Sequence, residues 1–197
     1  MARWIEPVSL QGSHVRIEPM AAAHRDELRA AAADGELWKL WYTSVPDDKS
    51  LDGWIGTALR QREDAGAMPF VVRRSGDDKL VGATRYCNLA PEHRRLEIGH
   101  TFYAHSVHRT AVNTETKLLL LTHAFAELGC AGVEFRTHFM NHASRRAIER
   151  LGAKLDGVLR SHQIMPDGSL RDTCVFSIVA PEWPAVRNNL TFRLSST

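Results

Sequence analysis

Cysteine is scarce: Cys87, Cys130 and Cys174 are the only three among 197 residues, far apart and without paired spacing. An odd, scattered set makes neither a disulfide framework nor a zinc site, so reduced thiols in a cytoplasmic protein are expected. Long apolar runs are missing too. The most apolar stretch, Leu118 to Leu121, is far short of the ~20 residues of a membrane helix. At Met1-Ala2-Arg3-Trp4-Ile5-Glu6-Pro7 an acid and a proline stand where a secretory leader needs its apolar segment. Neither sign of charge dominates: 25 Lys and Arg face 23 Asp and Glu, for a net +2. That balance gives no bulk drive toward nucleic acid, though it leaves room for a local basic site. Histidines 100, 105, 123 and 138 lack ligand spacing, so no metal is expected.

What is present suits one globular domain over residues 1–197, with 44% hydrophobic and 24% charged residues. His14 to Pro19 alternates as a strand, and alanine-rich Ala21 to Ala33 reads as a helix stopped by Asp34-Gly35. Leu37, Trp38, Leu40 and Trp41 form a small apolar patch. Ser50 is suited to cap a helix from Leu51 to Ala65. Phe70 to Arg74 and Leu80 to Arg85 flank a turn at Ser75-Gly76-Asp77-Asp78, and Leu96 to Tyr103 is a third strand. Thr114 to Leu128 predicts a long helix ending at Gly129, and its broad apolar surface implies packing on a sheet. A strand at Val133 to Thr137 and a helix at Ser144 to Leu151 follow. Leu155 to Met165 and Leu170 to Val179 then pair across Pro166-Asp167-Gly168, before a short helix from Pro181 and an irregular end. The order implies an α/β (α+β) fold: one mixed, mostly antiparallel sheet with helices on both faces.

The segment from Leu96 to Leu128 has the most chemical content. A strand, a short loop at Ala104 to Asn113 and a helix present free amides at a positive dipole end, beside His108 and Arg109, which suits an anion. Any strand–helix connection exposes such amides, so this reading alone leaves a purely structural loop open.

Leu96-Glu97-Ile98-Gly99-His100-Thr101-Phe102-Tyr103, followed by His108-Arg109-Thr110-Ala111-Val112-Asn113-Thr114-Glu115, resembles the acetyl-CoA-binding motif of GNAT acetyltransferases. The likeness is to their ribosomal-protein N-acetyltransferase (RimJ/RimL-like) branch. The family's Gln/Arg-x-x-Gly-x-Gly/Ala loop falls with its first position on His108 and its small residues on Ala111 and Asn113. Thr114-Glu115 matches as it stands. Alanine for glycine is a mild change, and asparagine tolerates a left-handed backbone. Asn141-His142-Ala143-Ser144, with Leu151-Gly152 closing the helix, resembles the family's second half, and the likeness covers roughly residues 8–184.

The resemblance implies direct transfer of an acetyl group from acetyl-CoA to a primary amine: a protein N-terminus, peptide, amino acid or small amine. It implies a splayed central strand pair, with the pantetheine arm along Thr101, Phe102 and Tyr103 and amides near Phe102 and Tyr103 at the oxyanion. The pyrophosphate would sit on His108, Arg109, Thr110, Ala111, Val112, Asn113 and Thr114. Asn141 would reach the arm or merely cap its helix. Ser144 would protonate the departing thiolate or merely serve the helix N-terminus. For the base, Glu97 and His162 are both candidates; Glu97 has an ion pair with Arg94 or Arg95 as its alternative, and His162 exposure to solvent. Asp172 is expected to pair with Arg160 or Arg171. A homodimer is open; nucleic acid and membrane are not expected partners. A non-catalytic acyl-CoA sensor and a transferase using a longer donor such as succinyl-CoA are the rival readings.

Overall fold

The computed structural model describes residues 4–195. The readings at Met1–Arg3 and at the last two residues of the tail lie outside them. The chain runs β1 (Leu10–Gln11), β2 (Val15–Pro19), α1 (Arg25–Ala33), α2 (Leu51–Glu63), β3 (Met68–Arg74), β4 (Leu80–Ala90), β5 (Arg95–Tyr103), α3 (Ala111–Thr122), β6 (Gly132–His138), α4 (His142–Leu151), β7 (Lys154–Ile164), β8 (Leu170–Val179) and α5 (Trp183–Ser195). All eight strands join one sheet in the order β1-β2-β3-β4-β5-β6-β8-β7. Among the described strands only β5 and β6 run parallel.

Strand alternation sets the two faces. On β4, Arg85 turns toward α2, where it bonds Gln61 Oε1 at 2.6 Å and lies over the Trp54 ring. Its neighbour Tyr86 turns the other way and donates to the Leu120 carbonyl of α3 at 2.6 Å. Helices α1 and α2 therefore cover one face, and α3, α4 and α5 the other. Phe125 stacks on Trp183 at 5.2 Å, tying the turn after α3 to α5. The core between sheet and second helix layer holds Phe70, Tyr86, Leu96, Leu120, Phe135 and Phe176, all nearly inaccessible.

Several boundaries differ from the sequence reading, each for a local reason. Strand β4 continues to Ala90, well past Arg85, because it has β5 to pair with. The α-helical part of α3 starts earlier, at Ala111, and its last turn widens over His123–Glu127. Ser50 does not cap α2: its amide and hydroxyl are bound to Asp47 instead. The helix expected from Pro181 is α5, which is longer than a short helix at 13 residues, with Trp183, Val186 and Leu190 buried. The two-residue β1 went unread, since two residues carry no periodicity.

Glu115 explains how that short strand is held. Its carboxylate accepts from the amides of Ser13, His14 and Val15 at 3.0, 2.6 and 2.7 Å. A side chain at Gly12 would collide with this carboxylate. Thus the Thr-Glu pair at the start of α3 fastens the first hairpin to the helix.

Candidate active site

The sheet is opened where β5 and β6 part. They pair only at Arg95–Gly132, Leu96–Val133 and Glu97–Glu134, although β5 runs on to Tyr103 and β6 to His138. The divergence begins beside a bulge. Across from β4, Arg85 faces Gly99 and Ala83 faces Phe102, so His100 and Thr101 together oppose Thr84. His100 takes a left-handed φ of 50°. A bulge withdraws backbone amides from the ladder and re-aims them. Here those amides border the gap, which is the geometry that an extended amide-bearing arm or an oxyanion needs.

At the wide end of the gap β5 runs into the loop before α3. Arg109 has φ 62°, so a left-handed residue precedes the helix. The oxygen of Thr110 accepts from the Val112 amide at 3.4 Å and its hydroxyl donates to the Val107 carbonyl at 2.7 Å. A left-handed residue followed by a helix start gathers free N–H groups into an anion-sized concavity. The sequence reading placed the conformational need on Ala111 and Asn113, and this is corrected. Both lie in the first helical turn, and the left-handed position is Arg109. Ala111, Val112 and Thr114 are buried. His108 folds back, its Nε2 2.9 Å from the Tyr103 carbonyl, and so braces the loop on the strand.

Beneath β5 the structure reveals a group the sequence reading passed over. Lys117, on α3, is buried, with Nζ 3.4 Å from both Thr101 Oγ1 and Tyr103 Oη. Among the described residues no carboxylate pairs with it. Burial depresses its ammonium to about 7. A lysine in an otherwise apolar helix pattern was the available signal.

At the end of β6, Asn141 caps α4: its Oδ1 accepts from the Ser144 amide at 3.0 Å. That is the capping role left open for Asn141. It also relieves Ser144 of one, so the Ser144 hydroxyl, half-buried in the first turn, has no hydrogen bond among the described residues.

Glu97 lies on the opposite face, at the last rung before the gap. It is buried and accepts from Asn88 Nδ2 at 2.6 Å, with Arg136 Nε at 3.5 Å. The alternative of an ion pair with Arg94 or Arg95 does not occur: Arg95 pairs with Glu134 at 3.0 Å, and the arginine near Glu97 is Arg136. Burial raises the Glu97 pKa above the usual carboxylate range, against the opposing effects of Asn88 and Arg136. His162 is exposed and holds its Nδ1 3.1 Å from Thr173 Oγ1. Asp172 pairs with Arg160 at 2.6 Å.

This second face is bare of helices over β6, β8 and β7, because α1 and α2 stop at the other half of the sheet, although His138, Thr173 and Ser177 on it are buried. It carries Glu134, Arg136, His138, Arg171, Thr173 and Ser177. A groove of about 320 Å³ runs across it, lined by Arg95, Glu134, Arg136, Asp156, Gly157, Leu159 and Val175. Trp41, from the segment between α1 and α2, leans over its edge onto His138 with ring centroids 5.0 Å apart. No group of acids, histidines and cysteines among the described residues is arranged to hold a metal.

A splayed parallel pair, a bulge at its mouth and an amide-rich helix start agree with what comparison with known proteins finds. The acetyltransferase (GNAT) domain model matches residues 14–154. The chain belongs to the GNAT acetyltransferase family. An acetyltransferase-family structure from T. thermophilus shares 34% identity and a TM-score of 0.84, covering 97% of this chain and 99% of its own. The uncharacterized N-acetyltransferase YoaA of Bacillus subtilis (strain 168) is 30% identical over 110 residues. That match spans 56% of this chain and 61% of YoaA's length. Mycobacterium smegmatis RimJ, solved in complex with CoA-disulfide, shares the fold at 21% identity and a TM-score of 0.77, each chain covered to 95%. The GNAT chain is thus an acetyltransferase-family enzyme with RimJ among its structural neighbours.

Proposed function

We propose that this single domain transfers the acetyl group of acetyl-CoA to a primary amine by direct attack in a ternary complex. The observation that carries the reading is the gap between β5 and β6, opening at Glu97 and ending at the left-handed Arg109 before α3. The pyrophosphate would lie on the amides of the loop from His108 to Thr114, with the Arg109 guanidinium beside it. The pantetheine arm would pair with the backbone of Thr101–Tyr103 as an added strand. RimJ's complex with a CoA species supports this placement by fold. The free thiols of Cys87, Cys130 and Cys174 fit a reducing cytosol.

The two faces divide the chemistry. The amine arrives from the bare face, where Glu97 accepts its proton before or during attack. Its raised pKa makes it a stronger base than an ordinary carboxylate. The nitrogen attacks the thioester carbon, and the amides freed at the bulge hold the oxyanion. The C–S bond then breaks, and the unengaged Ser144 hydroxyl on the far face passes a proton to the thiolate as it takes one from solvent. Of the two base candidates Glu97 is favoured, since it stands at the gap's origin and His162 is exposed at the hairpin.

Thiol release from acetyl-CoA across an amine panel tests the reading. Glu97→Gln should lower turnover by about 10²- to 10⁴-fold and flatten the rising limb of the pH–rate profile. Ser144→Ala should lower turnover with CoA affinity intact. An unchanged profile in Glu97→Gln would remove Glu97 as the base.

A further inference from the structure

Three arginines reach the bare face beside the gap, and two of them are already engaged. Arg95 pairs with Glu134 at 3.0 Å; Arg136 pairs with Glu134 at 2.9 Å and approaches Glu97 at 3.5 Å. Arg171 differs. Its Nε donates to Thr173 Oγ1 at 3.0 Å, and among the described residues no carboxylate lies within ion-pair distance of it. Its adjacent acid, Asp172, is on the other side of the strand's alternation and is bound by Arg160 and the Ser161 amide. The two terminal nitrogens of Arg171 are therefore donors without acceptors, on a half-buried side chain.

Arg171 reaches Thr173, whose partner on β6 is His138, and two residues before His138 on the same side of β6 Arg136 reaches Glu97 at 3.5 Å. Strand pairing explains this: Thr173 faces His138, and Arg171 follows on the same side of β8. The face thus offers a carboxylate at the gap's origin and an unpaired guanidinium near it, edged by His138 and Trp41. Such a pair matches a ligand carrying an ammonium and a carboxylate close together, for a guanidinium fork binds a carboxylate through two parallel hydrogen bonds.

Building on the amine-acetylation reading, we propose that the acceptor bears a carboxylate near its reactive amine, and that Arg171 is the residue that holds it. Two sources share that chemistry: a free amino acid, and a peptide with an acidic residue at or next to its N-terminus. A guanidinium that is half-desolvated and unpaired is costly to keep, and a carboxylate arriving with the acceptor offsets that cost. Arg171 is on this account a specificity residue and has no part in proton transfer.

Matched acceptors give the test. Amino acids are compared with their carboxamides, and peptides beginning with Asp or Glu with those beginning with Asn or Gln, by thiol release at saturating acetyl-CoA. In the parent enzyme one carboxylate series should exceed its neutral partners at least tenfold in kcat/KM, and the series that does so identifies the source. Arg171→Met and Arg171→Gln should abolish that advantage through KM, leaving CoA affinity unchanged. Arg171→Lys should restore part of it. Calorimetry on the CoA complex reads the same site without turnover: N-acetyl-amino acids or N-acetyl acidic peptides should bind the parent and not the Met or Gln variants. Equal rates for both series, or equal product affinity in parent and variants, would overturn the proposal. An enzyme that binds these products through Arg171 yet acetylates no amine would contradict the transfer reading and leave the carboxylate site standing.

Discussion

The two halves of the sheet solve the same packing problem differently. Strands β3 and β4 are covered on both faces, by α1 and α2 on one side and by the α3 layer on the other. Strands β6 and β8 have helices on one face only, and the edge strand β7 has no buried residue. In the first half the burial of β3 and β4 is nearly continuous, while β6 and β8 are interrupted by half-buried polar residues. The consequence is functional. Where the second helix layer ends, the sheet is left with a polar surface, and the gap between β5 and β6 lies on that border. On the proposed reading the acyl donor would enter from the α3 side and the acceptor from the side without helices.

The sharpest way to break this contrast uses neighbours on one strand. Phe176 is fully buried beneath the α3 layer, and Val175 turns to the groove. Phe176→Ala should cost about 3–5 kcal/mol by denaturant unfolding, and Val175→Ala less than about 1 kcal/mol. Similar losses for both would mean that the bare face is packed against something after all.

Lys117 bears on the covered half. Folding buries its ammonium beside two hydroxyls and over the Tyr103 ring, with no carboxylate among the described residues paired to it, so the folded pKa, about 7, lies below the ordinary lysine value of 10.5. A group depressed in this way destabilises the fold wherever the unfolded chain is protonated. Lys117→Met should therefore stabilise the protein by on the order of a few kcal/mol. The gain should be complete below about pH 7 and vanish as pH rises to 10.5. A pH-independent difference in unfolding free energy would show that the amine has a partner in solution. Keeping so costly a group beside Thr101 and Tyr103 fits a residue retained for the gap and not for the fold.

The smallest effect belongs to the exposed loop. Arg109→Glu should weaken CoA by roughly tenfold at low salt and less at high salt, since an exposed charge is screened. An unchanged dissociation constant would leave the anion to the backbone amides alone.

These contrasts also show what the sequence could and could not convey. Strands and helices with clear period, such as Leu170–Val179 and Leu51–Glu63, were legible because one face of each is apolar. The strand–loop–helix unit was legible as well, through Thr114-Glu115 and the Asn141-x-x-Ser144 spacing. The division of labour inside these motifs was not. Glu115 binds three amides a hundred residues away, which only the packed hairpin reveals. The left-handed turn falls on Arg109, where nothing in composition demands it. Glu97 leaves its sequence neighbours Arg94 and Arg95 for Asn88 and Arg136, because alternation and register, not chain proximity, choose partners. Arg171 was read with Asp172 in sequence, but the strand sends the two to opposite faces.

The account rests on the gap between β5 and β6 as the seat of the acyl donor, and a crystal structure with CoA bound tests it most directly. It predicts the pyrophosphate on the amides from Arg109 to Thr114 and the pantetheine arm within hydrogen-bond reach, about 3.5 Å, of the backbone of Thr101–Tyr103, with the sulfur near Ser144. CoA bound elsewhere on the chain, or an arm lying outside the splayed pair, would contradict it.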